Sequence, residues 1–460
     1  MSANGDTPMY YDGWHQTDVL RAKALARLKQ LTKQDDPWFL AIAPTSPHVQ
    51  GGHAPIPLER HKKDFEHLQV PKPKNFNPPD DDLQANKPSY IGKLKMLPPE
   101  DVKHADFHYK SRIRAIQGLD EIVHDVVDHL QNAGQLENTY IIYTSDNGYH
   151  IGTHRLFAGK SLPYIEDTNI PMIVRGPGVP KGATSKIAST HIDFAPTFLD
   201  IAGVPEVDRP QFFDGRSMLG EWKMANSEAA AQNVDREIIN VEFWGHLGNE
   251  LKGGTYANNS YKTMRIVSED SAWLYSRWCT GDTELYDTKS DPYELYNLAQ
   301  KPVSHEHRQM MNRLNALLLV TKSCVGPTCR DPWPVLKPAN DSLPPAQSLA
   351  DAMDSKYDDF FASFPPVTFK ECIDIQLPSN ELPFYPPEAE HKLGLAHRKP
   401  TDNYDKGLTG GDCKHDEIKA NGHFGTKEQR DATLEQINKD ARKLKDDELP
   451  GPNCHQIGIP

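Results

Sequence analysis

The chain has 460 residues, with 37% hydrophobic and 25% charged side chains and a formal net charge of -13. A negative field of this size repels phosphate, which argues against nucleic acid or an anionic membrane surface as a partner. An anionic substrate would therefore need a local basic pocket. No run of about 18 apolar residues occurs, so the sequence predicts no transmembrane helix.

The first half of the chain alternates helical and strand-like segments. An amphipathic pattern that Thr17 could cap predicts a helix over residues 17–31, and the apolar run 38–43 is typical of a buried strand. The proline-rich segment 51–103 is predicted to be a surface excursion. Further helices are predicted over 104–133 and 193–202, and further strands over 139–144 and 171–175. This alternation favours an α/β domain with a mostly parallel sheet.

The second half has shorter strand-like segments. Strands are predicted over 238–241, 261–267 and 283–287, with a helix over 303–320 that packs on a small antiparallel sheet. A Pro-rich extension follows and ends in a charged tail with a helix over 426–444. The predicted divisions are a main domain over 1–235, a smaller subdomain over 236–325 and an extension over 326–460.

The cysteine pattern bears on whether the protein resides in an oxidising or a reducing compartment. Six cysteines lie between positions 279 and 454, and Cys324 and Cys329 flank a Gly-Pro turn that would let them reach bridging distance. This pattern favours disulfides and an oxidising compartment, while buried thiols in a cytosolic enzyme remain the alternative. The first residues have neither a basic nor an apolar region, so no signal peptide is predicted in this sequence. A missing N-terminal segment would reconcile the two observations. Two glycosylation sequons, at Asn258 and Asn340, add little.

Polar residues follow the predicted strands, where ligands of parallel α/β sheets bind. Asp146 and Asn147 offer two hard oxygen donors suited to Ca²⁺ or Mg²⁺, although an Asp-Asn-Gly sequence is also an ordinary turn. Lys160 could meet an anion or be a solvated lysine, and His48 could be an acid, a base or a loop histidine. The spacing of His150 and a second histidine at position 154 suits structural hydrogen bonding better than a metal pair.

Together these segments resemble the sulfatase family. The similarity extends over roughly residues 14–300, and the Pro-rich tail is similar to the fungal arylsulfatase branch. The segments that carry the resemblance are 43–48, 145–152, 154–156, 159–160, 163–167, 170–178, 191–197, 213–217, 284–287 and 291–294.

The resemblance implies a fold and a site. The fold is an alkaline-phosphatase-like, mixed and mostly parallel sheet flanked by helices, with a smaller C-terminal antiparallel sheet and helix. Asp146 and Asn147 match two ligands of one bound Ca²⁺, Lys160 matches the lysine that contacts the sulfate, and His48 matches the histidine that contacts the sulfate and assists the leaving oxygen. The implied substrate is a small-molecule sulfate ester or a sulfated glycan, and oligomeric state is left open.

The sequence also departs from the family. Sulfatases make a formylglycine nucleophile in a Cys/Ser-x-Pro-x-Arg motif, and two further Asp ligands precede it, yet no cysteine or serine here has that context. We therefore expect an N-terminally truncated chain that is inactive alone. Thr153 also stands where the family often has an acidic or amide residue. The alternatives are a non-catalytic binding protein of this fold and a phosphatase or phosphodiesterase of the same superfamily. An upstream in-frame segment encoding Cys-x-Pro-x-Arg would favour the enzyme.

Overall fold

The architecture comes from a computed structural model, which describes residues 1–50, 53–225, 237–245, 247–248, 255–256, 258–268, 271–338, 343–372, 427 and 429–445. Its α-helices are α1 (Gln16–Leu31), α2 (Asp81–Ala85), α3 (Pro99–Asn132), α4 (Ile165–Thr168), α5 (Phe194–Ile201), α6 (Leu219–Met224), α7 (His305–Thr321), α8 (Pro327–Arg330), α9 (Leu349–Ala352), α10 (Asp358–Ala362) and α11 (Leu434–Lys439). No described helix combines the length and apolarity needed to cross a membrane.

The described strands form short antiparallel ladders and one larger sheet. They are β1 (Met9–Tyr11), β2 (Ile141–Thr144), β3 (His150–Ile151), β4 (Ala158–Gly159), β5 (Met172–Arg175), β6 (Ile238–Phe243), β7 (Leu247–Gly248), β8 (Thr255–Tyr256), β9 (Tyr261–Val267), β10 (Ala272–Trp278), β11 (Thr283–Asp287) and β12 (Ala441–Lys443). The larger sheet has the order β11-β10-β9-β6, and the pairs are β1-β12, β2-β5, β3-β4 and β7-β8.

The β2-β5 pair lies between two layers of helices. Ile141 packs against Leu28 of α1 and Leu130 of α3, whereas the next residue, Ile142, packs with Trp222 of α6. Successive side chains of a strand point to opposite faces of the sheet, so two adjacent residues of β2 contact the helices on its two sides. The arrangement is the helix-flanked α/β domain that the sequence predicts.

The strand pairing differs in detail from the sequence-based expectation. β2 and β5 pair antiparallel, and residues 38–43 form no strand, because the structure gives them no ladder partner among the residues that it describes. The segment nevertheless keeps an extended alternation. Trp38 and Leu40 pack with the α1-α3 core, and the ring of Phe39 lies 5.1 Å from that of Phe198 in α5. An apolar run indicates that its side chains are buried, but it does not indicate whether its backbone pairs with another strand.

Two predicted helices have different bounds in the structure. α3 starts at Pro99, because proline fits the first helical position. The helix therefore includes the last residues of the predicted surface excursion. That excursion also contains the short helix α2. The prediction of a tail helix over 426–444 is wrong in extent. Among the described residues of this range only α11 is helical, begun by a capping box at Thr433, and the following β12 pairs with β1 near the start of the chain. Residues 373–426 lie outside the described part.

The C-terminal sheet and α7 share the largest apolar core. Leu314 and Leu317 of α7 are fully buried against Met264 of β9 and Leu285 of β11. The predicted antiparallel sheet and helix are therefore present, and β10 completes the sheet where the sequence analysis had no strand. Trp333 belongs to the same core, so the beginning of the extension packs on this sheet.

Four of the six cysteines form disulfides. Cys324 and Cys329 are bonded, as the turn between them suggests, and Cys279 is bonded to Cys372. The two remaining cysteines, at positions 413 and 454, lie outside the described residues.

We predict that Leu317→Ala lowers the free energy of unfolding by about 2–5 kcal/mol, because it leaves a cavity in the core between α7 and the sheet. Chemical denaturation monitored by circular dichroism measures this change. Val207→Ala is the matched control, since Val207 is 82% exposed and its truncation should change stability by less than about 0.5 kcal/mol. Equal losses for both variants would contradict the assigned core.

Candidate active site

The predicted metal ligands lie in the turn directly after β2. The backbone N–H of Asn147 donates to Oδ1 of Asp146 at 2.9 Å, and the Asn147 side-chain amide nitrogen donates to the Gly148 carbonyl at 2.7 Å. These bonds direct the amide nitrogen toward the backbone. They leave Oδ1 of Asn147 and Oδ2 of Asp146 as two hard oxygen donors at the end of the strand.

Gly148 fixes this turn against α4. Its N–H donates to the Asp167 carbonyl at 2.8 Å, and the N–H of Tyr149 donates to the Glu166 carbonyl at 2.7 Å. A Cβ at Gly148 would lie 2.0 Å from the Glu166 carbonyl oxygen. Only glycine permits this approach, so the position of the Asp146-Asn147 turn depends on it.

Lys160 lies on the hairpin that follows the turn. In the β3-β4 ladder His150 pairs with Gly159, so Lys160 comes next along the hairpin, on the Tyr149 side. Asp167 holds the hairpin in place, because it accepts from Nδ1 of His150 at 2.9 Å and from the N–H of Leu162 at 2.9 Å. The structural hydrogen bonding predicted for His150 is confirmed.

His48 is exposed on a separate loop. Its Nδ1 lies 2.8 Å from the Val49 carbonyl oxygen. Because a carbonyl only accepts, Nδ1 must carry the proton, and Nε2 is then the nitrogen that can take or give a proton at a ligand. The peptide bond between Ser46 and Pro47, just before it, is cis.

Arg112 of α3 connects the His48 loop with the Asp146-Asn147 turn. Its guanidinium donates to the Pro47 carbonyl at 3.1 Å and lies 3.8 Å from the centre of the Tyr149 ring. No pattern in the sequence singles out this residue, since a single arginine within a helix carries no distinguishing signal. One side chain thus contacts the residue before His48 and the residue two positions after Asn147.

His108, one helical turn before Arg112, packs on the same ring. Its imidazole stacks on Tyr149 with 5.6 Å between ring centres, it is fully buried, and neither of its nitrogens has a hydrogen-bond partner in the described part of the chain. Burial, followed by the charges of Arg112 and His104, lowers the pKa of His108 to about 3. It is therefore neutral at physiological pH.

The fit of a metal ion is partial. The oxygens of Asp146 and Asn147 suit a hard cation, yet Ca²⁺ takes six to eight oxygen ligands. Within the described ranges, Asp146 belongs to no group of three His, Cys, Asp or Glu ligands, and the group that does occur is formed by His154, Glu166 and Glu294. The convergence of Asp146, Asn147, Lys160 and His48 on one ion and one sulfate stays a prediction.

We predict that Gly148→Ala destabilises the protein by about 1–3 kcal/mol, because the new methyl group must displace α4 or the Asp146-Asn147 turn. Thermal or chemical denaturation provides the measurement. Gly220 in α6 is a suitable control, since its nearest atom is the end of the Met224 side chain at 4.0 Å. Gly220→Ala should be neutral or stabilising. A neutral Gly148→Ala would contradict the close contact.

We predict that His108→Phe reduces acid sensitivity. A buried imidazole whose pKa lies below the unfolded value of 6.5 contributes stability above that pH, and this contribution is lost as the pH falls toward 3. Between pH 7 and 4.5 the wild type should lose roughly 2 kcal/mol more than a variant that keeps only the aromatic stack. Denaturant titrations at both pH values test this. The exposed His124 supplies the control variant His124→Phe, and identical pH profiles for all three proteins would refute the prediction.

Comparison with known proteins identifies the family. The model described as Sulfatase matches residues 2–204, and the model described as N-sulphoglucosamine sulphohydrolase, C-terminal, matches residues 152–320. The chain is 34% identical to Sulfatase ppz1 of Metarhizium majus, over 79% of this chain and 78% of that protein. It is 33% identical to an arylsulfatase of Volvox carteri, over 83% of this chain, and 31% identical to human N-acetylglucosamine-6-sulfatase, over 72% of this chain.

The matches to the last two relatives span 61% of the length of each. Among solved structures, a protein in complex with its substrate D-glucosamine-2-N,6-O-disulfate superposes with a TM-score of 0.50 at 20% identity, covering 66% of this chain and 68% of that one. This likeness supports the alkaline-phosphatase-like fold that the sequence predicts. The match to the sulfatase model and the match to Sulfatase ppz1, which is covered over most of its length, agree with this fold. The chain therefore belongs to the sulfatase family.

Proposed function

We propose that this chain serves the hydrolysis of sulfate monoesters, with Lys160 and His48 at the sulfate and Asp146 and Asn147 at a calcium ion. Family membership supports the reaction class. The observation that carries the assignment of residues is the contact of Arg112 with both the Pro47 carbonyl and the Tyr149 ring, which ties the His48 loop to the metal-ligand turn.

Each residue has a chemical role that suits sulfuryl transfer. The Lys160 ammonium offsets negative charge on the sulfuryl oxygens, and this stabilisation is largest where charge develops in the transition state. His48, held by its Nδ1 bond to Val49, presents Nε2 to the ester oxygen, and in its protonated form it gives that oxygen a proton as the S–O bond breaks. A calcium ion, when bound, would supply further positive charge at the same group.

Two other functions remain candidates. A non-catalytic protein of this fold would bind an anion without turnover, and a phosphatase or phosphodiesterase would prefer phosphate esters. Arylsulfatases and N-acetylglucosamine-6-sulfatases both occur among the relatives, so small aryl sulfates and sulfated glycans are both retained as substrate classes. Two disulfides and a relative named as a putative extracellular sulfatase of Caenorhabditis elegans favour a secretory compartment.

We predict that the 460-residue chain alone does not turn over an aryl sulfate. Its sequence has no Cys/Ser-x-Pro-x-Arg motif from which the formylglycine nucleophile of the family could be made. Product release should be followed over many enzyme equivalents, beside an active arylsulfatase under the same conditions. Repeated turnover by the purified chain would show that another group acts as the nucleophile.

We predict that the chain binds inorganic sulfate in the presence of Ca²⁺ and that Lys160→Ala weakens this binding about tenfold or more, as expected for loss of a charge-assisted contact. His48→Ala should weaken it as well. Isothermal titration calorimetry with sulfate, and separately with phosphate, distinguishes the sulfatase from the phosphatase alternative.

Lys439→Ala is the matched control for this binding experiment, because the Lys439 side chain is 70% exposed on α11. Its affinity for sulfate should equal that of the wild type. Unchanged sulfate affinity in both Lys160→Ala and His48→Ala would overturn the proposed site, and tighter binding of phosphate than of sulfate would favour the phosphatase.

A further inference from the structure

A second group of potential ligands lies between the β3-β4 hairpin and the C-terminal sheet. It consists of His154, Glu166 of α4 and Glu294, whose ligand atoms all lie within 4.8 Å of one another. His154 and Glu294 are completely buried. None of the three belongs to the proposed sulfate site, and the sequence predicts only structural hydrogen bonding for His154.

The polar atoms in this cluster are incompletely satisfied. Nδ1 of His154, Oε2 of Glu166 and Oδ1 of the buried Asn75 have no hydrogen-bond partner within the described ranges. The Asn75 amide nitrogen lies 2.7 Å from Oε1 of Glu166 and 3.4 Å from Nε2 of His154. Orphaned buried polar atoms are costly and uncommon, so three in one cluster indicate an unseen partner.

The charges of the cluster favour a cation as that partner. Glu294 accepts from Arg265 at 2.6 Å and from the N–H of Ile165 at 2.9 Å, so the Arg265 guanidinium already offsets the charge of this carboxylate. Oε2 of Glu166 has no donor among the residues that the structure describes. A cation would offset the charge of this second carboxylate and give its Oε2 a partner.

We propose that His154, Glu166 and Glu294 bind a divalent transition-metal ion of the zinc class. One imidazole nitrogen with two carboxylates is a donor set that suits zinc, whereas calcium prefers oxygen alone. The oxygens of Glu294 keep lone pairs beyond their existing hydrogen bonds, so the contact with Arg265 is compatible with coordination.

Such an ion would join parts of the chain that are distant in sequence. His154 and Glu166 flank Lys160 in the chain, while Glu294 follows the last strand of the C-terminal sheet. The bound metal would therefore fasten the lysine-bearing hairpin to that sheet. This role is structural, and it does not depend on sulfate hydrolysis.

The test measures zinc bound to the full chain. The protein is purified, its free thiols are alkylated, and bound metal is removed with a chelator. One equivalent of Zn²⁺ is then added, and retained zinc is determined by mass spectrometry after gel filtration. The wild type should retain about one ion per chain and gain thermal stability, since a ligand that binds only the folded state stabilises it.

Glu166→Gln and His154→Gln should each abolish retention of the ion. Glu137→Gln is the matched control for the first variant, because the Glu137 side chain is 86% exposed, and it should retain zinc like the wild type. Asp146→Asn should also retain zinc, which separates this site from the proposed calcium site. Titration with Co²⁺ gives a second readout, since coordination by His154 and carboxylates should produce visible absorption bands that Glu166→Gln lacks.

The outcomes are distinct. Failure of the folded wild type to retain zinc, or equal retention by Glu166→Gln, would overturn the metal site. If His154→Gln does not fold, Glu166→Gln and the Co²⁺ spectrum of the wild type decide. Sulfate binding is measured separately, so a negative result here leaves the proposed function untouched.

Discussion

The close approach of the Asp146-Asn147 turn to α4 is the constraint on which the rest of the proposed site depends. Gly148 and Tyr149 donate their N–H groups to the carbonyls of Asp167 and Glu166, at a separation that excludes any side chain at Gly148. The Asp167 carboxylate then accepts from His150 and from the backbone beyond Lys160. A short helix thereby positions both the turn that carries the proposed calcium ligands and the hairpin that carries the proposed sulfate ligand.

A second set of contacts joins this unit to the long helix α3. Tyr149 packs on the buried imidazole of His108 and under the guanidinium of Arg112. Arg112 also reaches the loop that carries His48. Aromatic and cation-π contacts of this kind are each worth about 1 kcal/mol. Their more important effect here is geometric, because they set the distance between two loops that carry polar groups.

The sequence predicted the parts of the molecule that depend on local patterns. The amphipathic pattern identified α1 and most of α3, and the apolar run before Ser145 identified β2, so the Asp146-Asn147 turn was correctly placed after a strand. Which strands pair with each other could not be predicted from such local patterns. The pairing of β2 with β5, and of β1 with β12, joins segments whose own residues carry no record of the partner.

The buried cluster was missed for a related reason. Asn75, His154, Glu166 and Glu294 are spread over more than two hundred residues, and each alone is an ordinary polar residue. Only the packing of the excursion, the hairpin and the C-terminal segment against one another brings them together. The sequence did contain one indication, the family motif around Glu284 and Glu294. From the resemblance alone it was identified only as the C-terminal closing motif, without a physical role.

The structure gives that motif a physical role. Glu284 is fully buried and accepts hydrogen bonds from the Tyr164 hydroxyl at 2.8 Å, the Tyr286 hydroxyl at 2.6 Å and the Trp278 indole at 2.8 Å. A buried carboxylate is tolerated only with such donors. Tyr164 directly precedes α4, so the C-terminal sheet holds the same helix that positions the Asp146-Asn147 turn and the hairpin. The residues of the proposed sulfate site lie in the first half of the chain, but their geometry is maintained by buried polar contacts from the second half.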